Sequence, residues 1–313
     1  MDLRNEKELV EEHHKRDHKI LVVGQPLAGK DVPKATYMSC LNVLGPSAMI
    51  HLLEKHKVAS TIKILGDFPM DANRNRFVEE SIAAGADYLF FMDMDMTFPA
   101  NALTNLFEVI SDERPVVSGM YYLKREPYSP VMGRYVDWDD NMHKYKDEYY
   151  ELGFVHPKSG DQLCMWRSFT YFDKTVPFTA DVIGLGCVLM KTSVFKKMER
   201  PFFHYTRDPR PESGFKQMDE VMPFCAKMKK MGIPIYIDPR VQCGHIMTME
   251  SNVDLFSNYR DSSFGARAKM DPKGFDEMSR LFVDVREEQR NGSRIETQPS
   301  GSTNSEQACG TAV

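Results

Sequence analysis

The sequence predicts an α/β fold with a mostly parallel, doubly wound central sheet. Three observations favour it. Short apolar runs alternate with segments of helical spacing from residue 19 to residue 119, and the run Leu89–Met92 is bounded by turn signals, as buried parallel strands are. Two aspartates, Asp93 and Asp95, follow this run. Ligands of such sheets bind beyond the carboxyl ends of strands, so a functional site is expected beside these aspartates.

The first half of the chain supplies the alternating elements. Residues 1–18 are mostly charged and predict a solvated helix. The elements then expected are a strand at 19–24, a helix at 36–57 interrupted near Gly45, a strand at 59–65, a helix with Asp71 as N-cap, the strand that ends at Asp93, a helix after Pro99 and a strand at 115–119. This order argues that the first half binds a nucleotide.

The second half is less regular. Aromatic residues interleave with prolines and charges at 120–178, a composition typical of hairpins packed over a sheet and also of platforms for sugar rings or bases. Strand character returns at 180–190 and 233–238, with a helix between them that ends near Met231. We expect a docked C-terminal helix at 263–290 and a disordered polar tail at 291–313.

Bulk composition narrows the class of protein. The 313 residues are 42% apolar, and a net charge of −5 gives no general field for binding nucleic acid. No apolar run approaches the roughly 20 residues that span a bilayer, and the N-terminus is too charged for a signal peptide. The six cysteines form no Cys-x-x-Cys pair and suit reduced thiols. We therefore expect a soluble, cytoplasmic protein.

The two aspartates predict a cation site. Side chains alternate along a strand, so Asp93 and Asp95 should project to one side, about 6.6 Å apart. Two carboxylates at ~4 Å repel by about 4 kcal/mol at an effective dielectric near 20, and Mg²⁺ or Mn²⁺ would relieve this. The alternative is a solvated acidic loop. The metal hypothesis requires that both side chains face a cavity and are not buried in salt bridges.

Charged residues at two further places in the sequence are candidates for binding or catalysis. Arg74, near a helix start, is a candidate for contacting a nucleotide or its phosphates, and the alternative is a surface arginine paired with Glu79 or Glu80. Asp219 or Glu220 could act as a general base, and the alternative is an ordinary acidic helix start.

Two glycines and one histidine are further candidates for the functional site. Gly184 and Gly186 lie in a strand, where a ligand or another backbone can come close. His245 follows a short strand and is a candidate for a further metal ligand, with a structural histidine as the alternative.

Together, residues 19–250 resemble the nucleotide-sugar glycosyltransferases of the GT-A fold, close to the family-2-like enzymes of bacteria, phages and large viruses. The segments that carry the resemblance are KILVVGQPLAG, Asn73-Arg74-Asn75, DYLFFMDMDMTFP, PVVSGMYYLKREP, Gly184-x-Gly186-Cys187, the acid pair before Phe224-Cys225, and IYIDPRVQCGH. The resemblance implies a GT-A-like three-layer sandwich at 19–262 with an aromatic-rich insertion.

The resemblance also implies roles for single residues. Asp95 would bind the metal that bridges the donor diphosphate, Asp93 would lie nearer the ribose or a metal-bound water, and His245 would complete metal or diphosphate binding. Arg74 and Asn75 would lie beside the donor nucleotide. The other implied donor-binding positions are Pro26, Gly184 and Gly186.

The chain departs from the family pattern at two places. Asn73 stands where alanine is usual, and Asp219-Glu220 lies one residue earlier than the family's Glu-Asp, with Val221 in the second position. The choice of base between Asp219 and Glu220 therefore stays open.

These observations predict a glycosyltransferase that depends on Mn²⁺ or Mg²⁺ and moves a sugar from a nucleotide-diphosphate donor to an acceptor hydroxyl. The acceptor is left open among a glycan, a lipid-linked group, a protein and a modified nucleobase. Two alternatives remain: a nucleotidyltransferase-type metal-phosphate enzyme, and a non-catalytic sugar-nucleotide-binding protein.

Overall fold

The structure is a computed structural model that describes residues 6–26, 32–66, 69–124, 128–136, 165–207, 217–247 and 282–284, together with residues 253 and 257. Its helices are α1 (Glu6–Lys15), α2 (Lys34–Val43), α3 (Pro46–His56), α4 (Met70–Ala83), α5 (Ala102–Val109) and α6 (Val221–Lys230), with a 3-10 helix at Thr192–Lys197. None of the helices in these ranges has the length and apolar character needed to cross a bilayer.

The strands follow the order of the chain. They are β1 (Lys19–Pro26), β2 (Val58–Leu65), β3 (Tyr88–Met92), β4 (Met96–Thr97), β5 (Val116–Met120), β6 (Met132–Val136), β7 (Met165–Tyr171), β8 (Phe178–Ala180), β9 (Val182–Ile183), β10 (Cys187–Lys191), β11 (Thr206–Arg207), β12 (Gln217–Met218), β13 (Ile235–Gln242), β14 (Gly244–His245) and β15 (Phe282–Asp284). The alternation of strand and helix expected in the first half is present.

A seven-stranded sheet in the order β2-β1-β3-β10-β5-β13-β8 forms the centre of the fold. Strand β1 is parallel to β2 and β3, and β5 is parallel to β13. Strand β10 lies antiparallel between β3 and β5, and β8 is antiparallel to β13. Five of the seven strands therefore run in one direction, which confirms a mostly parallel α/β sheet.

Helices cover both faces of this sheet. Alternate residues of β3 belong to different apolar clusters: Leu89 and Phe91 pack with residues of α1, α4 and α6, whereas Phe90 and Met92 pack with residues of α2, α3 and α5. Strand β3 is buried along its whole length, as its uninterrupted apolar run predicts. The arrangement is a three-layer sandwich.

Part of the aromatic-rich insertion forms a second sheet, in the order β15-β7-β6-β9. Strands β6 and β7 pair antiparallel, in line with the expected hairpins, and residues 137–164 lie outside the described ranges. Phe169 and Tyr122 are fully buried near this sheet. These two aromatic residues of the insertion therefore belong to the hydrophobic core.

The C-terminal helix expected at 263–290 is wrong at Phe282–Asp284, because these residues form β15 and pair parallel with β7. A few apolar residues at helical spacing do not exclude a short strand, and Phe and Val favour strands. The rest of 263–290 and the tail 291–313 lie outside the described residues. At the other end of the chain, α1 lies within the predicted segment 1–18.

Helix α4 starts two residues before the position expected from the acid. Its N-cap is Pro69, without a side-chain hydrogen bond, so the prediction of Asp71 as N-cap is wrong. Asp71 instead accepts the Ala72 backbone N–H at 2.8 Å inside the first turn, where a negative charge still suits the helix dipole.

Candidate functional site

The acidic segment after β3 is a turn. Strand β3 ends at Met92, the Asp93 N–H donates to the Gly186 carbonyl at 3.0 Å, and the next two residues turn before β4 begins. Side-chain alternation holds only while the strand continues. The sequence argument that set Asp93 and Asp95 on one side of an extended strand is therefore wrong, and the two carboxylates have different partners.

Asp93 is paired with a buried arginine. Arg74 on α4 donates from one terminal nitrogen to Asp93 Oδ1 at 2.9 Å and Oδ2 at 3.2 Å, and its guanidinium lies 5.1 Å from the centre of the Phe91 ring. Arg74 is 2% exposed. A protein side chain, and not the divalent ion predicted for both aspartates, therefore lies against Asp93.

The same arginine binds the second acid of the 219–220 pair. Arg74 Nε donates to Glu220 Oε1 at 3.0 Å, and Glu220 is itself buried. Asp93 and Glu220 outweigh the desolvation that would lower the pKa of Arg74, and they raise it above its ordinary value. The bridge joins α4, the end of β3 and the start of α6.

Two predictions for Arg74 change with this geometry. Its donors are used by protein acceptors in the interior, so the geometry assigns it a positioning role and its predicted contact with nucleotide phosphates stays a prediction. The alternative, a surface arginine paired with Glu79 or Glu80, is wrong, because Glu79 pairs with Arg200 and Glu80 with Arg76.

The Asn75 side chain forms hydrogen bonds with the protein backbone. Its Nδ2 donates to the Asp71 carbonyl at 2.8 Å and to the Phe203 carbonyl at 2.6 Å, while its Oδ1 accepts the Phe203 N–H at 3.1 Å. Both amide hydrogens are thereby used. The side chain clamps the backbone around Phe203 onto α4, and its implied place beside the donor nucleotide stays a prediction.

Asp95 sits among cationic and imidazole groups. Lys124 Nζ donates to Asp95 Oδ2 at 2.5 Å, and His245 Nε2 lies 3.5 Å from the same oxygen. The Asp95 side chain is 49% exposed and Lys124 36%. Burial alone would raise the pKa of Asp95, but the hydrogen bonds and charges of His245 and Lys124 outweigh it and hold this pKa well below its usual range.

A short ladder brings His245 to Asp95. Strand β14 pairs antiparallel with β4, with His245 opposite Met96, and the Ile246 N–H donates to the Asp95 carbonyl at 2.8 Å. His245 Nδ1 lies 2.8 Å from the Tyr122 carbonyl, which can only accept, so Nδ1 carries the hydrogen. Nε2 is therefore the ring nitrogen on the side of Asp95: with a proton it donates to the carboxylate, and without one it offers a lone pair to a cation.

The residues around Asp95 fit a divalent ion with two protein ligands. A metal-ligating histidine usually donates its other N–H to a carbonyl or carboxylate, as His245 does to Tyr122. Adjacent ligands of an octahedral ion with bonds of ~2.1 Å lie about 3 Å apart, close to the separation of Asp95 Oδ2 and His245 Nε2. In the described part of the chain no group of three His, Cys, Asp or Glu residues forms a metal cluster.

The condition that the metal hypothesis set for both aspartates is not met, and the two acids differ in how they depart from it. Asp93 is held in a salt bridge with a buried arginine, so it fails the condition for a metal ligand as the sequence analysis set it. Asp95 is half exposed, and its partner Lys124 is a side chain that solvent reaches. The metal hypothesis therefore depends on Asp95 and His245.

Gly184 and Gly186 make room for protein side chains. A Cβ at Gly184 would lie 1.6 Å from the Tyr121 hydroxyl oxygen, and one at Gly186 would lie 2.2 Å from Met96 Sδ and 3.2 Å from Asp93 Oδ2. The expected close approach is present, and Tyr121 and Met96 make it. The implied donor contacts of both glycines stay predictions.

The two acids at the start of α6 differ in environment. Asp219 is exposed, and its Oδ1 accepts the N–H groups of Val221 at 3.2 Å and Met222 at 3.3 Å, which leaves Oδ2 without a bond to them. Glu220 is buried on Arg74. Asp219 thus combines the helix-start role with exposure to solvent, and among the described residues no hydrogen bond to its Oδ2 is present.

Pro26 closes β1 and is buried opposite Leu65 in the sheet. The loop that follows it, residues 27–31, lies outside the described ranges. Its implied place in donor binding stays a prediction.

Two residues of this site, Lys124 and Tyr121, were not among the candidates predicted from the sequence. Lys124 and Tyr121 follow β5, whose carboxyl end lies at the same edge of the sheet as the turn after β3. Tyr121 is buried, accepts the Gly186 N–H at 3.4 Å, and meets the His245 ring edge-on at 5.3 Å. Their place after a parallel strand was the signal that could have found them.

Comparison with known proteins finds only weak structural similarity. No protein-family model and no curated protein matches the chain. Among solved structures, A197 from STIV is 15% identical over 72% of this chain and 85% of its own, with a TM-score of 0.43. An apo UDP-glucose pyrophosphorylase is 7% identical over 83% and 86%, with a TM-score of 0.32. Mannose-1-phosphate geranyltransferase from Thermus thermophilus is 11% identical over 39% and 47%, with a TM-score of 0.25.

Proposed function

We propose that this chain is a nucleotide-sugar-dependent transferase that works at the carboxyl edge of its central sheet, and that it transfers a sugar to an acceptor hydroxyl. One observation carries the proposal. Asp95 Oδ2 and His245 Nε2 lie 3.5 Å apart, and the contact of Nδ1 with the Tyr122 carbonyl fixes the ring with Nε2 on the side of Asp95. This pair suits Mn²⁺ or Mg²⁺, which take one or two protein ligands and complete their shell with water and phosphate oxygens.

A divalent ion at this pair would stabilise the negative charge that develops on a departing diphosphate. Lys124 adds a second positive group at the same carboxylate. Its ammonium is exposed enough to turn from Asp95 to a phosphate oxygen, which lysines contact as compact point charges. Asp95, His245 and Lys124 therefore bind and orient the diphosphate.

Asp93 would contact the donor from a fixed position. Arg74 holds both of its oxygens, but a carboxylate has about four lone-pair sites and can still accept a hydroxyl. The Asp93 side chain is 21% exposed, so one side is accessible. Arg74 orients this acid, and Glu220 in turn orients Arg74.

Asp219 is the base that the geometry favours. Its free Oδ2 can take the proton of an acceptor hydroxyl, a step worth roughly 10²–10⁴-fold in rate. Glu220 cannot do so without breaking its ion pair with Arg74 in the interior. Between the two acids left open by the sequence, we propose Asp219.

Nucleotidyl transfer is a second candidate. It is favoured by the ion pair of Glu220, which leaves no buried free carboxylate at the start of α6 in the described structure. A sugar phosphate attacks with an oxygen that is already ionised, so this reaction needs no base. The same metal pair and Lys124 would serve it.

Binding is the first test. Full-length protein is screened by thermal shift with uridine, guanosine, adenosine and thymidine diphosphate sugars, with and without Mn²⁺, because a ligand that binds the native state raises the apparent stability. We expect stabilisation by one nucleotide class that requires Mn²⁺, and its loss in Asp95→Asn. Asp112→Asn is the matched control, since this exposed aspartate pairs with Lys191 away from the site. Equal stabilisation of wild type and Asp95→Asn would overturn the proposal.

Product analysis then separates the reactions. A glycosyltransferase releases a nucleoside diphosphate, also by slow hydrolysis of the donor, whereas a nucleotidyltransferase supplied with a sugar phosphate releases pyrophosphate. Metal-dependent binding without either product would identify a non-catalytic sugar-nucleotide-binding protein.

A further inference from the structure

A cavity of about 400 Å³ lies at the opposite edge of the central sheet from the candidate site. Its lining includes Ile235, the first residue of β13, which pairs with Val116, the first residue of β5. Asp93 and Asp95, by contrast, follow the last residue of β3. The volume falls within the range of small-molecule sites, so the cavity is large enough for a ligand of its own.

Among the described residues that line the cavity, positive charge is in excess. The charged residues are Arg134, Lys229, Lys230 and Asp181, which sum to a formal charge of +2 in a chain whose net charge is −5. They come from three places in the chain: β6, the residue between β8 and β9, and the last turn of α6. A local excess of cations against an acidic protein favours an anionic ligand.

Two of these side chains are held in place. Arg134 donates to Thr179 Oγ1 at 3.1 Å, and Lys229 Nζ donates to Asp181 Oδ1 at 2.6 Å. The Asp181 side chain is 11% exposed, and its backbone N–H donates to the Gly133 carbonyl at 2.9 Å. The polar wall is therefore organised before any ligand binds, which lowers the entropic cost of binding.

The end of α6 does not need these lysines as caps. Gly232 has a φ of +67°, and the N–H groups of Met231, Gly232 and Ile233 donate to the carbonyls of Lys227, Lys229 and Met228. Backbone bonds thus satisfy the last turn, as in glycine-terminated helices. Within the described ranges Lys230 makes no ion pair, and its charge is available to the cavity.

The rest of the lining is apolar. Ala180, Ile233, Pro234 and Ile235 supply it, and Ala180 and Ile235 are buried. An apolar surface beside a cationic wall suits a ligand that has an anionic group and a compact organic body. A phosphomonoester carries roughly −1.5 to −2 at pH 7, which matches the charge of this wall.

We propose that this cavity is a second ligand site, which binds a small organic phosphomonoester through Arg134, Lys229 and Lys230. The site is separate from the metal pair and does not depend on the proposed transferase reaction. The lysines offer point charges at the end of α6 and Arg134 adds positive charge from β6, so the phosphate is attracted from two sides of the cavity.

Phenyl phosphate is the probe, since it joins a phosphate dianion to a compact apolar body. Calorimetric titration of the full chain at low salt should show binding, weaker binding of inorganic phosphate, and at least a tenfold loss of phenyl phosphate affinity in Lys230→Ala. Lys230 is exposed, so this variant keeps the fold, and Lys230→Arg should retain affinity. Lys196→Ala is the control, an exposed lysine of the 3-10 helix that does not line the cavity.

Chemical labelling provides an independent measurement. Phenyl phosphate should protect Lys230, and not Lys196, from acetylation read by mass spectrometry. Asp95→Asn should leave phenyl phosphate binding unchanged, which separates this site from the proposed transferase site. Absence of binding to the wild-type chain, or equal affinity in wild type and Lys230→Ala, would overturn the proposal.

Discussion

Arg74 Nε and Glu220 Oε1 form a hydrogen bond of 3.0 Å between residues 146 positions apart, and both side chains are buried. The same guanidinium also binds Asp93. One buried cation thus compensates two buried or half-buried acids at the edge of the sheet. Removing it would leave both acids without their partner in a region of low dielectric.

Arg74→Met should strongly destabilise the protein. Loss of one partner of a buried ion pair typically costs about 3–5 kcal/mol, and here two acids lose theirs. Urea unfolding measures the change. Arg76→Met is the control on the same helix, where the pair with Glu80 is half exposed and worth at most about 1 kcal/mol. Adding Glu220→Gln to Arg74→Met should recover part of the loss, and no recovery would contradict the ion-pair explanation.

Asn75→Ala should lower stability and spare nucleotide binding. It leaves the Phe203 N–H and C=O without the amide partner, a loss of about 1–3 kcal/mol if these groups stay buried. Urea unfolding and nucleotide titration are compared on the same sample. Unchanged stability with a large loss of nucleotide affinity would instead support the donor contact that the resemblance implies.

Lys124→Ala should separate metal binding from diphosphate binding. Its ammonium competes with a metal ion for Asp95, so Mn²⁺ alone should bind up to about fivefold more tightly in the variant, as expected for a partly exposed ion pair. A nucleoside diphosphate should bind at least about tenfold more weakly, because a charge-assisted contact is lost. Electron paramagnetic resonance of free Mn²⁺ and calorimetry measure the two. A parallel fall of both affinities would contradict the competition.

The ion pair of Asp95 should make stability depend on pH. Its pKa lies below the ordinary value of 3.8 in the folded protein, because Lys124 and His245 outweigh the effect of burial. The unfolded state therefore binds more protons in this window, so the stabilisation is present above about pH 4 and is lost as the pH falls toward the lowered pKa. The difference in unfolding free energy between wild type and Asp95→Asn should shrink from pH 6 to pH 3. A constant difference would contradict this.

Gly184→Ala should test the packing of Tyr121. The added methyl would lie 1.6 Å from the hydroxyl oxygen and 2.3 Å from Cζ, so the ring or the strand must move, at a cost of about 3 kcal/mol. Thermal unfolding measures it. Tyr121→Ala removes the obstructing ring, so in the double variant the added cost of Gly184→Ala should largely disappear. Gly232→Ala, where no atom lies within 4 Å of the new Cβ, separates crowding from backbone strain.

The sequence predicted those elements of the fold that depend on the local pattern of apolar and turn residues. The apolar run of β3, the break near Gly45 and the alternation up to β5 follow from spacing and turn residues, and the structure has them. Electrostatics predicted a divalent cation for Asp93 and Asp95 together, and the structure instead pairs Asp93 with Arg74. This pairing could not be predicted, because Arg74 lies 19 positions away on a helix and reaches the acid only after the layers have packed.

Three other features could not be predicted from the sequence pattern. The direction of β10 is set by pairing with strands on both sides, and a short apolar run such as residues 187–190 is compatible with either direction. The three residues of β15 were assigned to a helix because periodicity in a short segment is ambiguous. The role of Lys124 depends on a loop that brings it back over the turn after β3.

The position of β10 has a consequence for how the protein is made. Strands β3 and β5 leave the ribosome well before residue 187. They do not pair with each other, and only β10, which lies between them in the sheet, connects them. A nascent chain that ends before β10 therefore carries two apolar strands with an unfilled gap, a state prone to aggregate. Productive folding is expected only once most of the polypeptide has been synthesised.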